Sequence, residues 1–329
     1  MSAPFEFAST HETAKGSPLP RDVTSDAGPA VRHTERAMNA ADVTIRLMRP
    51  DDAAGAAAAA RTALEELDPQ NVAPEDEDMR MAGATARVAH IQRTDPGGCW
   101  VAEADGRIVG AALGLIRDGV WGLSLLGILP RFQGRGIGRR LYEPALEYGE
   151  GEPGAIILSS PHPAAMRCYG SSPGYQLIPT VGFAGTCDPR RVPAALRCRP
   201  GDLGADAATM AAASRHVRRA SHLRDLPTML ARPGSALLVI DDEGFACTHG
   251  ACVTLLAART EAAAEDLLWG AITSGARGGT VSYDFVSADN QWAIRVGIEA
   301  GLAISTCGPI FVRGDVGPMA PYLPSGAYL

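Results

Sequence analysis

The feature that most constrains this chain is a strand that runs into a glycine loop and then a helix: GVWGLSLLGILPRFQGRGIGRRLYEPALEYGE, residues 119–150. Its first twelve residues carry no charge, as expected of a strand covered on both faces. Gly134, Gly136 and Gly138 then fall on alternate positions, where the absence of Cβ lets the backbone approach a ligand closely. A helix starting there presents N–H groups that lack intrahelical partners, so strand, loop and helix together form a site for an anion such as a phosphate. Arg135, Arg139 and Arg140 can add charge-assisted donors. Read without a ligand, the same residues are a glycine-rich connection with surface arginines.

Two kinds of phosphate loop follow a strand in this way. A dinucleotide fingerprint needs Gly-x-Gly-x-x-Gly and an acidic residue closing the next strand. Here the spacing is Gly-x-Gly-x-Gly and the next apolar segment, GAIILSS, ends in serines. The dinucleotide reading is therefore the weaker one.

The rest of the chain supplies an α+β frame in two copies. At 329 residues and 46% hydrophobic content it is long enough to bury two cores. Residues 1–42 show no helical or strand period and read as a flexible tail. VTIRLMRP reads as a strand, DDAAGAAAAARTALEEL and PEDEDMRMAGATARVAHIQR as helices, and CWVAEADGRIVGAALGLI as a hairpin turning at Asp105-Gly106. HPAAMRCYGS reads as a short helix before a last apolar segment, YQLIPTVGFAG. DPRRVP, residues 188–193, reads as a linker, after which the strand-then-helix order repeats. The expectation is two tandem domains, 43–187 and 188–329, each a mixed β-sheet flanked by helices.

Charge and cysteines narrow the partners. A net charge of −7 argues against nucleic acid. Seven scattered cysteines without a Cys-x-x-Cys pair indicate neither a zinc site nor a disulfide framework, which suits a reducing cytoplasm, and no metal is expected. No run of about 18 apolar residues and no export signal is seen, so no membrane partner is expected. A homodimer stays open.

With Ile128, Pro130, Gln133, Gly136 and Gly138 in the order apolar-x-Pro, two residues, Gln-x-x-Gly-x-Gly, the chain resembles the GCN5-related N-acetyltransferase (GNAT) superfamily. The resemblance implies that the loop binds the pyrophosphate of acetyl-CoA and that the strand before it splays from its neighbour to pair with the pantetheine arm. It assigns the cofactor contacts to Ile128, Gln133, Gly134, Arg135, Gly136, Ile137, Gly138, Arg139 and His162. The second motif of the family, Asn-x-x-Ala-x-x-x-Tyr and a later Gly-aromatic pair, is matched by Ala165, Tyr169, Gly174 and Tyr175, with one extra residue before the glycine and His162 in place of the asparagine. Imidazole can supply the hydrogen bond of the missing amide.

Acyl transfer from a thioester to an amine needs a neutral amine, a stabilised oxyanion and a proton for the departing thiolate. Tyr169 is the candidate acid, because a phenol with a pKa of about 10 can reprotonate a thiolate of about 8.5. Many family members carry a glutamate on the strand before the loop, but this strand offers only Ser124, so no base is assigned. Glu65, Glu66, Asp68 and Glu75 to Asp78 lie where the family borders its acceptor groove; they read either as a lure for a cationic amine or as a solvated surface.

In the second half NQWAIRVGIEAGL repeats the second motif with Asn290, Ala293 and Gly301-Leu302, but Gly297 takes the tyrosine position and the loop LLAARTEAAAED has no glycine. A degenerate copy is expected there. The leading expectation is an acetyl-CoA-dependent N-acetyltransferase acting on an amine of a small molecule or protein. The alternatives are an acyl-CoA-binding regulatory protein and a dinucleotide-binding protein.

Overall fold

The computed structural model describes residues 42–67, 77–275 and 279–329. The expected tail, up to residue 41, and Asp68, Glu75 and Asp76 lie outside the described residues.

In chain order the first half contains β1 (Thr44–Leu47), α1 (Ala53–Leu67), α2 (Glu77–Thr94), β2 (Cys99–Ala104), β3 (Arg107–Arg117), β4 (Val120–Ile128), α3 (Ile137–Glu147), β5 (Gly154–Leu158), α4 (Pro163–Gly170), β6 (Gln176–Ile178) and β7 (Thr180–Gly185). The second contains β8 (Arg199–Pro200), α5 (Ala207–Arg218), α6 (Leu226–Leu230), β9 (Ser235–Ile240), β10 (Gly244–His249), β11 (Cys252–Ala258), α7 (Glu261–Gly275), β12 (Val281–Ser287), α8 (Gln291–Ala300), β13 (Ala303–Thr306), β14 (Ile310–Gly314) and β15 (Tyr322–Leu323). The hairpin between β2 and β3 turns on Asp105 and Gly106, both at positive φ, as the Asp-Gly pair dictates.

The strands form two mixed sheets, β1-β2-β3-β4-β5-β14-β6 and β13-β7-β12-β11-β10-β9-β8. In each, an antiparallel run meets one parallel junction, β4 with β5 and β11 with β12, beyond which two antiparallel strands complete the sheet. The α+β expectation is met, and the repeat legible in the sequence is a repeat of topology.

The halves exchange a strand. YQLIPTVGFAG, a single apolar segment to the eye, is cut at Pro179, which has no N–H to give to a ladder. β6 stays in the first sheet, whereas β7 crosses to the second and inserts between β12 and β13. In return β14, near the far end of the second half, inserts between β5 and β6. The ends of the two halves are therefore woven together on both sides of the linker expected at 188.

A buried ionic network reinforces the join. Arg117, at the end of β3, places both arms of its guanidinium on Asp225, which precedes α6, at 2.7 and 2.8 Å, and donates to Asp95 at 2.8 Å. His90 of α2 reaches the same Asp225 carboxylate through Nε2 at 2.8 Å. Burial alone would raise the Asp225 pKa, but the hydrogen bonds from His90 and Arg117 hold it down at about 2. Removing one member of such a cluster leaves an uncompensated charge in the core.

Two outcomes follow. Phe183 of β7 is buried and stacks on Tyr283 of β12 with ring centroids 5.2 Å apart, so Phe183→Ala should cost about 3–5 kcal/mol and lower a single thermal transition of the whole chain; two separate transitions would show that the exchange does not couple the halves. Because the folded pKa of Asp225 lies below its ordinary 3.8, its contribution is complete above about pH 4 and is lost as the pH falls toward about 2. Acid titration of stability should show this loss, on the order of 2 kcal/mol, in the parent and not in Asp225→Asn, which should already be less stable at neutral pH.

Candidate active site

The sheet opens at the parallel junction. β4 and β5 pair only from Val120 with Gly154 to Leu123 with Ile157, yet β4 continues to Ile128 and stays paired with β3 through Gly110. Residues 124–128 thus have no strand partner on the β5 side. At the same point Ser124 is an extra residue against β3, whose register moves from Leu113 opposite Leu125 to Gly114 opposite Leu123. Such a bulge re-aims the strand.

The glycine loop lies at the mouth of this opening. Gly134 and Gly136 have φ of +73° and +76°, and a Cβ at either would meet nothing within 4 Å. Glycine is needed there for the backbone shape, which leaves clear space over the loop. Gly136 caps α3 without any side-chain hydrogen bond, and the first helical bond runs from Arg140 N–H to the Gly136 carbonyl. The first-turn N–H groups of α3, at Ile137, Gly138 and Arg139, have no intrahelical partner, an arrangement that can take an anion over the clear space at Gly134 and Gly136.

The side chains around it are less free than the sequence suggests. Gln133 folds back and donates from Nε2 to the Ile128 carbonyl at 2.9 Å. Arg135 lies over the Phe132 ring at 5.9 Å, exposed Arg139 pairs with Glu143 at 2.9 Å, and Arg140 donates to the Val43 carbonyl. The Ile137 side chain is buried in the core, so only its backbone can serve the cradle. A Cβ on Gly138 would come within 3.1 Å of Ile128, which keeps the helix start tight against the strand.

Beyond β5, His162 caps α4, its Nδ1 accepting from Ala164 N–H at 3.3 Å. This is the capping role of an asparagine amide, played by imidazole. Tyr169 on α4 is buried beside Tyr142 and Phe311, with ring centroids 5.4 and 5.8 Å away. Phe311 belongs to the exchanged β14, so the second half supplies one wall of this tyrosine's pocket. Burial, with smaller contributions from Cys168 and Tyr142, pushes the Tyr169 phenol well above its usual value, so it holds its proton at neutral pH.

The other face of β4 carries what sequence reading missed. Residues 325–329 lie across it: Ser124 Oγ donates to the Ala327 carbonyl at 2.6 Å, and the Leu329 side chain sits where a Cβ on Gly122 would be. Arg218, His222 and Tyr322 anchor the segment through the Leu329 backbone oxygen. Burial, then the neighbouring Arg218, keeps His222 neutral. Beyond this strap a cavity of about 1270 Å³ opens between α2 and the second half. Of the acidic residues read either as a lure for a cation or as a solvated surface, Glu65 and Glu77 pair with Arg61 and Arg80. Among the described residues there is no group of three His, Cys, Asp or Glu able to hold a metal, and no helix long and apolar enough to cross a membrane.

The second sheet has the same junction with its opening filled. β11 and β12 pair only at Cys252 with Ser282, and β15 lies along β11 at Leu256 and Ala257. Asn290, the motif residue retained from the repeat, accepts from Tyr322 N–H and donates to the Met319 carbonyl, so it holds this filling segment. At Gly297 a side chain would run into Phe183 and the Tyr283 hydroxyl, each 2.4 Å from its Cβ. The exchanged strand occupies the place of the tyrosine.

Residues 61–175, which hold the cradle and α4, match the model of the Acetyltransferase (GNAT) family. No curated protein matches the chain. Among solved structures the chain is similar to a candidate acetyltransferase from Pyrococcus horikoshii (TM-score 0.71, 17% identity, 91% of this chain and 100% of that one). It is also similar to a GCN5-related N-acetyltransferase from Sphaerobacter thermophilus (0.54, 17%, 85% and 98%) and to a tandem GNAT protein from the clavulanic acid biosynthesis pathway (0.54, 15%, 83% and 98%). These likenesses span both sheets and concern the fold, while the family match rests on the first sheet's loop and helices: residues 61–175 match the GNAT family, and the two sheets together have the fold of tandem GNAT proteins.

Proposed function

We propose that the chain is an acetyl-CoA-dependent N-acetyltransferase with one working site, in the first half. The observation that carries this is the contrast between the two parallel junctions, open beside a glycine cradle at β4 and β5, filled by β15 at β11 and β12. The pyrophosphate of the donor binds the N–H groups from Gly134 to Arg139, with Gln133 and Arg135 at the rim, and the pantetheine arm pairs with the backbone of β4 that β5 leaves unpaired, Gln133 giving up the Ile128 carbonyl to it. His162 fixes the start of α4 and so the position of Tyr169. Residues 43–187, completed by β14, form the working domain, and 188–329 the supporting one.

In the reaction the acceptor nitrogen attacks the thioester carbon. The C–N bond forms, the C–S bond breaks, Tyr169 gives its proton to the departing thiolate, and the proton the amine sheds passes to water, which in turn restores the one lost by Tyr169. Its apolar surroundings keep the phenol protonated at neutral pH but also make it a weaker acid than a free tyrosine, so its proton passes only to a thiolate formed directly beside it. Ser124 is no substitute for a carboxylate base, since its hydroxyl already donates to Ala327. That same contact favours a second reading, an acyl-CoA-binding regulatory protein whose acceptor face is closed by residues 325–329. Turnover separates the two.

Free-thiol release from acetyl-CoA across a panel of amines is the test. Gly136→Glu forces a side chain into a left-handed position and puts a carboxylate in the anion cradle, and should weaken acetyl-CoA binding by at least about 100-fold. Tyr169→Phe should lower kcat by about 10² while leaving the KM for acetyl-CoA in place. Undiminished binding in the first variant, or unchanged kcat in the second, would remove these residues from their roles.

A further inference from the structure

The cavity between α2 and the second half has an electrostatic character opposite to that expected from the acidic sequence beside it. Gly83, Arg87 and His90 follow one another along a face of α2 and line it, and Arg232 and His249 line it from the second half; Asp284 is the carboxylate among its lining residues. Arg232 lies against Gly83, its Cδ and Nε 3.6 Å from where a Cβ would stand, one helical turn from Arg87. Arg87 Nε is buried without a hydrogen-bond partner. The groups that act on its charge are the Tyr328 hydroxyl and the Arg232 guanidinium, not a carboxylate, and burial lowers its pKa. Two guanidiniums converging on one cavity, one of them without an acceptor for a buried N–H, repel each other and carry a desolvation cost that an anion between them would offset.

We propose that this cavity binds the acceptor through an anionic group, a carboxylate or phosphate, held by Arg87 with Arg232 beside it. The proposal rests on the transferase reading and names its substrate class: a primary amine on a molecule that also carries an anion. Tyr328 stands between the cavity, which it lines, and β4: it packs in one cluster with Leu125 of β4 and Val88 and Ile91 of α2. A guanidinium fork matches the two oxygens of a carboxylate or phosphate, which fixes the acceptor's orientation as well as its charge. The same positive field lowers the pKa of the acceptor's ammonium and raises the fraction of free amine, which compensates for the carboxylate missing from β4.

The experiment uses matched pairs of amines: dipeptides beside their C-terminal amides, and aminoethyl phosphate beside aminoethanol. Binding is followed first without acetyl-CoA, by thermal shift and calorimetry of the full chain, and transfer is then followed by thiol release. The anionic member of a pair should bind at least about tenfold more tightly than the neutral one, and Arg87→Gln should erase the difference while Arg87→Lys retains part of it. In turnover the preference should appear in the acceptor KM, with the KM for acetyl-CoA unchanged in Arg87→Gln. Preference for the dipeptide or for the phosphate identifies which anion the fork takes. Equal binding within every pair, no binding of any anionic member, or an equal loss of both members in Arg87→Gln would overturn the proposal. Anion-selective binding without thiol release would instead count against the transferase reading and leave the anion site standing.

Discussion

The exchange of β7 and β14 is the constraint from which the rest of this structure follows. A strand inserted between two others satisfies backbone groups on both its edges, so each half closes the other's sheet and neither is complete alone. The exchange also places side chains. Phe311 arrives from the second half to wall in Tyr169, while Phe183 arrives from the first to fill the space at Gly297. One topological event thus preserves a buried phenol in one copy and excludes it from the other.

The same logic explains how two equivalent openings came to differ. A parallel junction that ends early exposes unpaired backbone, which has to find a partner in protein, water or ligand. At β11 the partner is β15, secured through Asn290, and no vacant edge remains at Leu256 and Ala257. At β4 the cradle side stays open and the opposite face is covered by residues 325–329. The chain that leaves β15 continues to this strap, so filling one site and shaping the other are acts of a single segment. Its anchoring by Arg218, His222 and Tyr322, all of the second half, ties that half to β4 of the first.

How much of this was legible in the sequence depended on how local the signal was. The strand–glycine loop–helix order, the Asp105-Gly106 turn and the helix of Tyr169 all rest on neighbouring residues, and those elements lie where the sequence puts them. Destinations were not legible. Nothing local distinguishes TVGFAG or IFVRG, apolar strands of ordinary length, as belonging to the other sheet; Pro179 marks the break but not where the chain goes. β10 carries no local strand signal because GFACTH lacks alternation, and β13 carries none because AIST is short and wholly exposed. The strap escaped because PYLPSGAYL reads as a loop, its role lying in contacts with residues more than 100 positions away.

The acidic stretch before α2 shows why charge read along a chain can mislead about a site. Glu65 and Glu77 engage Arg61 and Arg80 on the helix surface, where exposed pairs are screened and contribute little. What faces inward is the opposite charge. Farther along α2 the face carrying Arg87 and His90 is turned to the second half, and there Asp225 is already committed to Arg117 and His90. The core network uses Asp225 in holding the halves together, and the groups that act on the buried Arg87 charge are phenol and guanidinium. At the seam the charges are matched: Asp225 takes a bidentate pair from Arg117 and a further hydrogen bond from His90, and Arg117 reaches Asp95 as its second carboxylate, so the guanidinium buried between the halves is fully compensated.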